Sequence, residues 1–203
     1  MLRILLFHLL MSLPPSKYTA EDSGDREARM HAVANAVADA SEALSTGRRR
    51  TWPGSTRDLA LVLTTIAWHE SGFDADVHAG QCKPFQCDAV KNRAGDVVRF
   101  RAASLWQIHA NAFVPQRMWQ TLAGTDEDST RRAALVAGRI ASVSRNMCAY
   151  QHRGGDWLTM TFAAYGTGGA CFKESAKLRA ATFRRFERKL TEIKAQLATE
   201  GAA

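Results

Sequence analysis

One stretch, residues 59–73 (LALVLTTIAWHESGF), limits what can be built around it. Leu59, Val62, Leu63, Ile66 and Ala67 recur at steps of three and four, the period of an amphipathic helix. Glu70 follows Ile66 by four residues and Ala67 by three, so it extends the apolar stripe instead of the wet face. Gly72 is a natural stop just beyond it, and Ser55 with Asp58 three residues later reads as a capping box that opens the helix. A carboxyl at that end has two reasons to keep its proton: desolvation, and the negative end of the helix dipole. Those are the conditions for a general acid. The competing reading is a glutamate satisfied by a buried arginine, or one that emerges as the helix frays.

With 203 residues the chain is long enough for one substantial core and short for two. Its 46% hydrophobic and 23% charged residues are those of an ordinary soluble globular protein. Four cysteines permit two disulfides and point to an oxidising compartment, periplasmic or secreted. The net charge of +7 suits an anionic partner without choosing among nucleic acid, lipid and a charged cell-wall polymer. Residues 1–16 begin with a short basic start and an apolar run too short to span a bilayer, which reads as an export signal. His8 interrupts the run, and no small-residue cleavage site follows.

Along the chain, residues 21–45 carry a helical pattern with Met30, Val33, Val37, Ala40 and Leu44 on one side; His31 reads as a surface residue. A loop with Arg48, Arg49 and Arg50 follows. Residues 73–101 are irregular, and Val97 to Phe100 could be half of a small hairpin. Cys82 and Cys87, five apart around Pro84, suit a disulfide-closed loop; a zinc site recruiting His69 or His78 is the weaker alternative. Helices are expected over 113–122, with Pro115 in the first turn, and over 126–147. The second has Ala133, Val136, Ala137, Ile140, Val143 and Met147 as its apolar stripe. A short helix over 157–165 ends at a glycine run, and a packing helix over 175–197 turns Phe186, Leu190, Ile193 and Leu197 inward and a basic face outward. The fold class is therefore mainly α: one helical domain over 21–198 with a small irregular or hairpin insert after the helix that ends at Glu70.

Three segments, in order, resemble the soluble lytic transglycosylases and goose-type lysozymes of the lysozyme-like superfamily. Glu70-Ser71-Gly72-Phe73 is similar to that family's Glu-Ser-x-Phe, Ser104-Leu105-Trp106-Gln107-Ile108 to its Gly-Leu-Met-Gln-Ile, and Ala163-Ala164-Tyr165-Gly166-Thr167-Gly168 to its Ala-Tyr-Asn-x-Gly. The resemblance covers roughly residues 55–172. It implies a lysozyme-like domain that cleaves the β-1,4 bond between N-acetylmuramic acid and N-acetylglucosamine in peptidoglycan. Glu70 would be the single acid/base, protonating the glycosidic oxygen and then accepting a proton from the muramoyl 6-hydroxyl to leave a 1,6-anhydro end. Gln107 would bind the sugar on the groove floor, Tyr165 would orient Glu70 or the acetamido group, and Ser71 would touch substrate or brace the turn. Ser104 stands where the family has glycine, Trp106 where it has methionine and Gly166 where it has asparagine. Trp106 could face a sugar ring, though filling core suits it better. The resemblance also implies that Cys148 pairs with Cys171, leaving Cys82 for Cys87.

Two alternatives stay open. Asp88 or Asp96 across the groove from Glu70 would make the protein a hydrolytic lysozyme. Alternatively, the domain binds glycan without cutting it inside an envelope, secretion or phage assembly. Nucleic acid is not an expected partner, because no nucleic-acid motif accompanies Arg48 to Arg50. No cofactor or metal is expected, and the chain is expected to act as a monomer.

Overall fold

The computed structural model describes residues 1–48, 50–82, 87, 89–100, 102–110, 114–151, 156–165, 171 and 173–201. In chain order the elements are α1 (Leu2–Met11), α2 (Ser23–Ser45), α3 (Thr56–Ser71), α4 (Ala75–Ala79), β1 (Ala89–Lys91), β2 (Val97–Phe100), β3 (Ala102–Ala103), β4 (Ile108–His109), α5 (Gln116–Trp119), α6 (Glu127–Gln151), α7 (Trp157–Ala163) and α8 (Lys173–Glu200). The fold is mainly α. Two small antiparallel hairpins, β1–β2 and β3–β4, interrupt it after the helix that ends near Glu70. Among the described residues no helix is long and apolar enough to cross a membrane.

Helix α3 is the axis of the core, with α2, α6 and α8 packed around it. Its start is fixed by the reciprocal capping box of Ser55 and Asp58, and its end by Gly72 in the left-handed region at φ 60°. The sequence pattern predicts an amphipathic helix, yet every residue from Leu59 to Ala67 is buried. Three neighbours surround α3, so it keeps no wet face until its last turn, where Trp68, His69, Glu70 and Ser71 are half-buried. Fully burying each of Leu59, Leu61, Leu63 and Ile66 contributes about 1.5–3 kcal/mol.

Helix α6 departs from expectation in another way. The predicted stripe includes Val143, which is 52% exposed, while Val136, Ile140 and Met147 only flank the core. Ala133 and Ala137 of that stripe are buried as expected, and the small residues Ala134, Gly138 and Ala141 complete the inward face, with Cys148 at its far end. Small residues let α6 approach α2 closely: a Cβ added at Gly138 would sit 2.5 Å from Leu44 Cδ1. Here backbone proximity decides which face turns in, and side-chain hydrophobicity does not.

The expected helix over 113–122 reduces to the single turn of α5, with Pro115 preceding it; Phe113 lies outside the described residues. Helix α1 belongs to the same core, because Leu5, Leu6, Leu9 and Leu10 are buried against α2 and α8. Two disulfides close the insert and the end of α6. Cys82 is joined to Cys87 and Cys148 to Cys171, with Cα separations of 5.7 and 5.6 Å. Closing the longer loop stabilises the fold by roughly 3 kcal/mol on the loop-entropy argument.

Candidate functional site

The last turn of α3 lines a cavity of about 550 Å³, which contains residues 68–72, Val77 of α4 and residues 14–18. Glu70 opens into it, with 17% of its side chain exposed. Its Oε1 accepts a hydrogen bond from Nη2 of Arg179 on α8 at 2.5 Å, and Arg179 is itself only 16% exposed. Two effects oppose each other at this carboxyl. Burial favours the neutral acid, whereas the guanidinium favours the anion through its charge and its hydrogen bond. Burial is the larger, so Glu70 holds its proton above the ordinary carboxylate range despite its cationic neighbour.

Helix α8 supplies the rest of that wall. His69 Nε2 lies 2.9 Å from Thr182 Oγ1, and burial together with Arg179 and Arg185 pushes the imidazole down to about 4. His69 is therefore neutral near pH 7, a hydrogen-bonding group rather than a charge. On the other side, Ser71 Oγ donates to the Ala67 carbonyl and accepts from the Phe73 amide. Ser71 thus braces the helix end.

The second segment forms the four-residue loop of the β3–β4 hairpin, closed by the Gln107 amide donating to the Ser104 carbonyl at 3.1 Å. Ser104 at φ 65° and Gln107 at φ 47° both occupy the left-handed region, which a side chain disfavours. Serine at 104, where the resemblance expects glycine, is consequently held in a glycine-like conformation. Trp106 is wholly buried, and its indole Nε1 donates to the Leu63 carbonyl of α3, so it cannot offer a face to a sugar. The Tyr165 hydroxyl, just beyond α7, donates to the Trp106 carbonyl at 3.0 Å. Burial raises the Tyr165 phenol well above its usual value, with the nearby Glu70 charge acting in the same direction.

The second and third segments meet on α3: Trp106 docks the hairpin loop on the Leu63 carbonyl, and Tyr165 holds that loop through the Trp106 carbonyl. Tyr165 also lies within electrostatic reach of Glu70, but among the described residues neither Tyr165 nor Gln107 lines the cavity at Glu70. Gln107 directs its amide to the Ser104 carbonyl and to Cys87 Sγ, which ties the loop to the Cys82–Cys87 bridge. Cys82 and Cys87 are bonded to each other, and His78 Nε2 contacts Thr130 Oγ1 at 2.9 Å. These bonds overturn the zinc alternative, since neither cysteine is a free thiolate. Asp96 lies at the exposed end of the β1–β2 hairpin, where its backbone and side chain bond to Asn92. Asp88, Arg49, residues 83–86 and Gly166 to Gly168 fall outside the described residues.

In the sequence Arg179, Thr182 and residues 14–18 carry no site role, and 14–16 read as the end of an export signal. Arg179 and Thr182 border the buried positions Ala176, Ala180 and Phe183. An arginine at the margin of an apolar stripe is the one local signal that could have drawn attention there. Comparison of the chain with protein-family models, with curated proteins and with solved structures finds no match.

Proposed function

We propose that this chain is a peptidoglycan-cleaving lytic transglycosylase in which Glu70 is the only acid/base. The observation that carries the reading is a desolvated carboxyl at the open end of a buried helix, protonated above the usual range and facing a cavity. The neutral acid would protonate the glycosidic oxygen as the C1–O bond breaks. The resulting carboxylate, beside Arg179, would then take the proton of the muramoyl 6-hydroxyl as that oxygen attacks C1. The 1,6-anhydro ring forms and the acid is restored, with no water consumed. The substrate's acetamido group stabilises the cationic centre, so no second enzyme carboxylate is needed. Asp96, on its exposed hairpin, gives no support to a hydrolytic partner.

Within this reading Ser71 holds the helix end, Tyr165 holds the hairpin loop against α3, and Gln107 stands on that loop beside the disulfide. Two disulfides favour an oxidising compartment, periplasmic or secreted. The Glu70→Gln variant, folded, should release no soluble fragments from purified peptidoglycan, while the wild-type chain releases products one water lighter than hydrolysis would give. Full activity in Glu70→Gln ends the assignment, and hydrated products convert it to a lysozyme. The Glu70–Arg179 ion pair favours a second reading, a glycan-binding module that does not cut. Glycan retention by the wild-type chain without any fragment release would select it.

A further inference from the structure

The cavity at Glu70 is lined on one side by the protein's own residues 14–18, which connect α1 to α2 and belong to neither helix. The segment is held at defined points. Ser16 Oγ donates to Asp74 Oδ2 at 2.5 Å, and Thr19 Oγ1 lies 3.0 Å from Asp74 Oδ1 and 2.9 Å from Asp76 Oδ2. Arg26 fixes the start of the segment by donating to the Leu13 carbonyl at 2.7 Å. Asp74 is a firm anchor: it is wholly buried, caps α4 through the Val77 amide, and donates its own amide to the Ser71 carbonyl at the end of α3.

The contrast between anchor and strap is informative. Asp74 belongs to the core, but Pro14, Pro15, Lys17 and Tyr18 are exposed, so the segment adds little to the core's stability. Its adjacent prolines restrict the chain before it docks, which lowers the entropy lost on lying across the cavity. Hydroxyl-to-carboxylate hydrogen bonds at a partly exposed site can be exchanged for water. A segment that is cheaply preordered and reversibly fastened suits a closure.

We propose that residues 14–18 are a strap that closes the Glu70 cleft and opens when the Ser16 and Thr19 hydroxyls leave Asp74 and Asp76. Its meaning for catalysis rests on the transglycosylase reading above: a glycan strand and the strap compete for the same space beside Glu70. Regulation then lies in the joint between α1 and α2, since Leu5, Leu6, Leu9 and Leu10 anchor α1 in the core beside the exposed strap.

The test uses the full chain and a probe that does not depend on catalysis. Carboxyl groups are labelled with a water-soluble carbodiimide and an amine, and modification of Glu70 is followed by peptide mass spectrometry. Asp58, in the capping box at the opposite end of α3 from Glu70, is the internal control. In the Ser16→Ala/Thr19→Val variant the Glu70 labelling rate should rise about fivefold or more, the factor that loss of one ordinary hydrogen bond gives, with Asp58 unchanged. Ser16→Thr, which keeps the hydroxyl, should label like the wild type. A tryptic cut after the exposed Lys17 supplies a second route to the open form without substitution and should raise labelling likewise. Equal Glu70 labelling in closed, variant and cut chains overturns the strap. Raised labelling with no fragment release from peptidoglycan by any form supports the closure and overturns the catalytic reading instead.

Discussion

The Glu70–Arg179 contact looks like a stabilising ion pair, and its energetics predict otherwise. At a charge separation of about 4 Å and an effective dielectric constant of about 20, attraction to Arg179 is worth about 4 kcal/mol. Desolvating a buried ion costs several kcal/mol as well, and here burial is the larger effect because the Glu70 carboxyl is raised overall. An acid whose folded value lies above its unfolded one binds more protons in the folded state between the two values. The stability that Glu70 contributes is therefore present at acid pH and is lost as pH rises through that window.

Glu70→Gln approximates the protonated acid at every pH. It should match the wild type near pH 4 and exceed it at pH 7.5, by about 1.4 kcal/mol for each pH unit by which the folded carboxyl is raised. Arg179→Met should behave oppositely. Without the guanidinium, burial acts unopposed on Glu70, so the penalty relative to wild type grows from pH 4 to pH 7.5. Urea unfolding of the three proteins at both pH values gives the comparison directly. If Glu70→Gln is less stable than wild type at pH 7.5 by 1 kcal/mol or more, about the free energy of one hydrogen bond, the ion pair is net stabilising. Glu70 is then an ionised structural partner and not an acid.

Three further outcomes follow from other parts of the fold. His78 is buried beside Thr130, with Arg29 and Asp126 as its charged neighbours, and burial holds it down to about 3, so stability is lost as pH falls from about 6.5 toward that value. His78→Gln should abolish about 2 kcal/mol of the loss between pH 6.5 and pH 5, read from urea midpoints. Gly138→Ala should destabilise by about 1–3 kcal/mol, because its Cβ meets Leu44 Cδ1, and Leu44→Val in the same chain should recover part of the cost. Ser104→Gly should relieve about 1–2 kcal/mol of left-handed strain against about 0.5–1 kcal/mol of unfolded-state entropy, a net gain of no more than about 1.5 kcal/mol without loss of fragment release.

What the sequence made legible was local. The start and stop of α3 follow from Ser55, Asp58 and Gly72 because capping depends on residues within one turn. The long helices were readable for the same reason, with α6 running Glu127–Gln151 and α8 running Lys173–Glu200. The misreadings came from contacts between distant elements. Periodicity put Val143 of α6 inside, but the close approach to α2 at Gly138 turned the small-residue face inward. A pattern of apolar spacing shows which side of a helix is greasier, not how many neighbours it has, so α3 read as amphipathic although three helices surround it. Arg179 pairs with Glu70 across 109 positions and Ser16 with Asp74 across 58, separations that leave no periodic trace.

Those same long-range contacts decide how the site can work. A glutamate held near neutrality by burial alone would be an acid that cannot easily release its proton, because the carboxylate would have no partner in a poorly solvated cleft. A glutamate dominated by its arginine would be a carboxylate with no proton to give. Glu70 lies between the two: burial exceeds the guanidinium's pull without removing it, so both protonation states have support. An acid that must donate to a leaving oxygen and then accept from a hydroxyl needs that balance, and a purely structural ion pair does not. Since Arg179 stands on α8, with the neighbouring Thr182 meeting His69, the balance depends on how firmly the last helix is seated on α3. On the proposed transglycosylase reading, substitutions that loosen α8, at Phe186 against Trp68 for example, should therefore shift the pH profile of fragment release before they abolish folding. If Phe186→Leu lowers stability and leaves that profile unmoved, Glu70 does not take its acidity from α8.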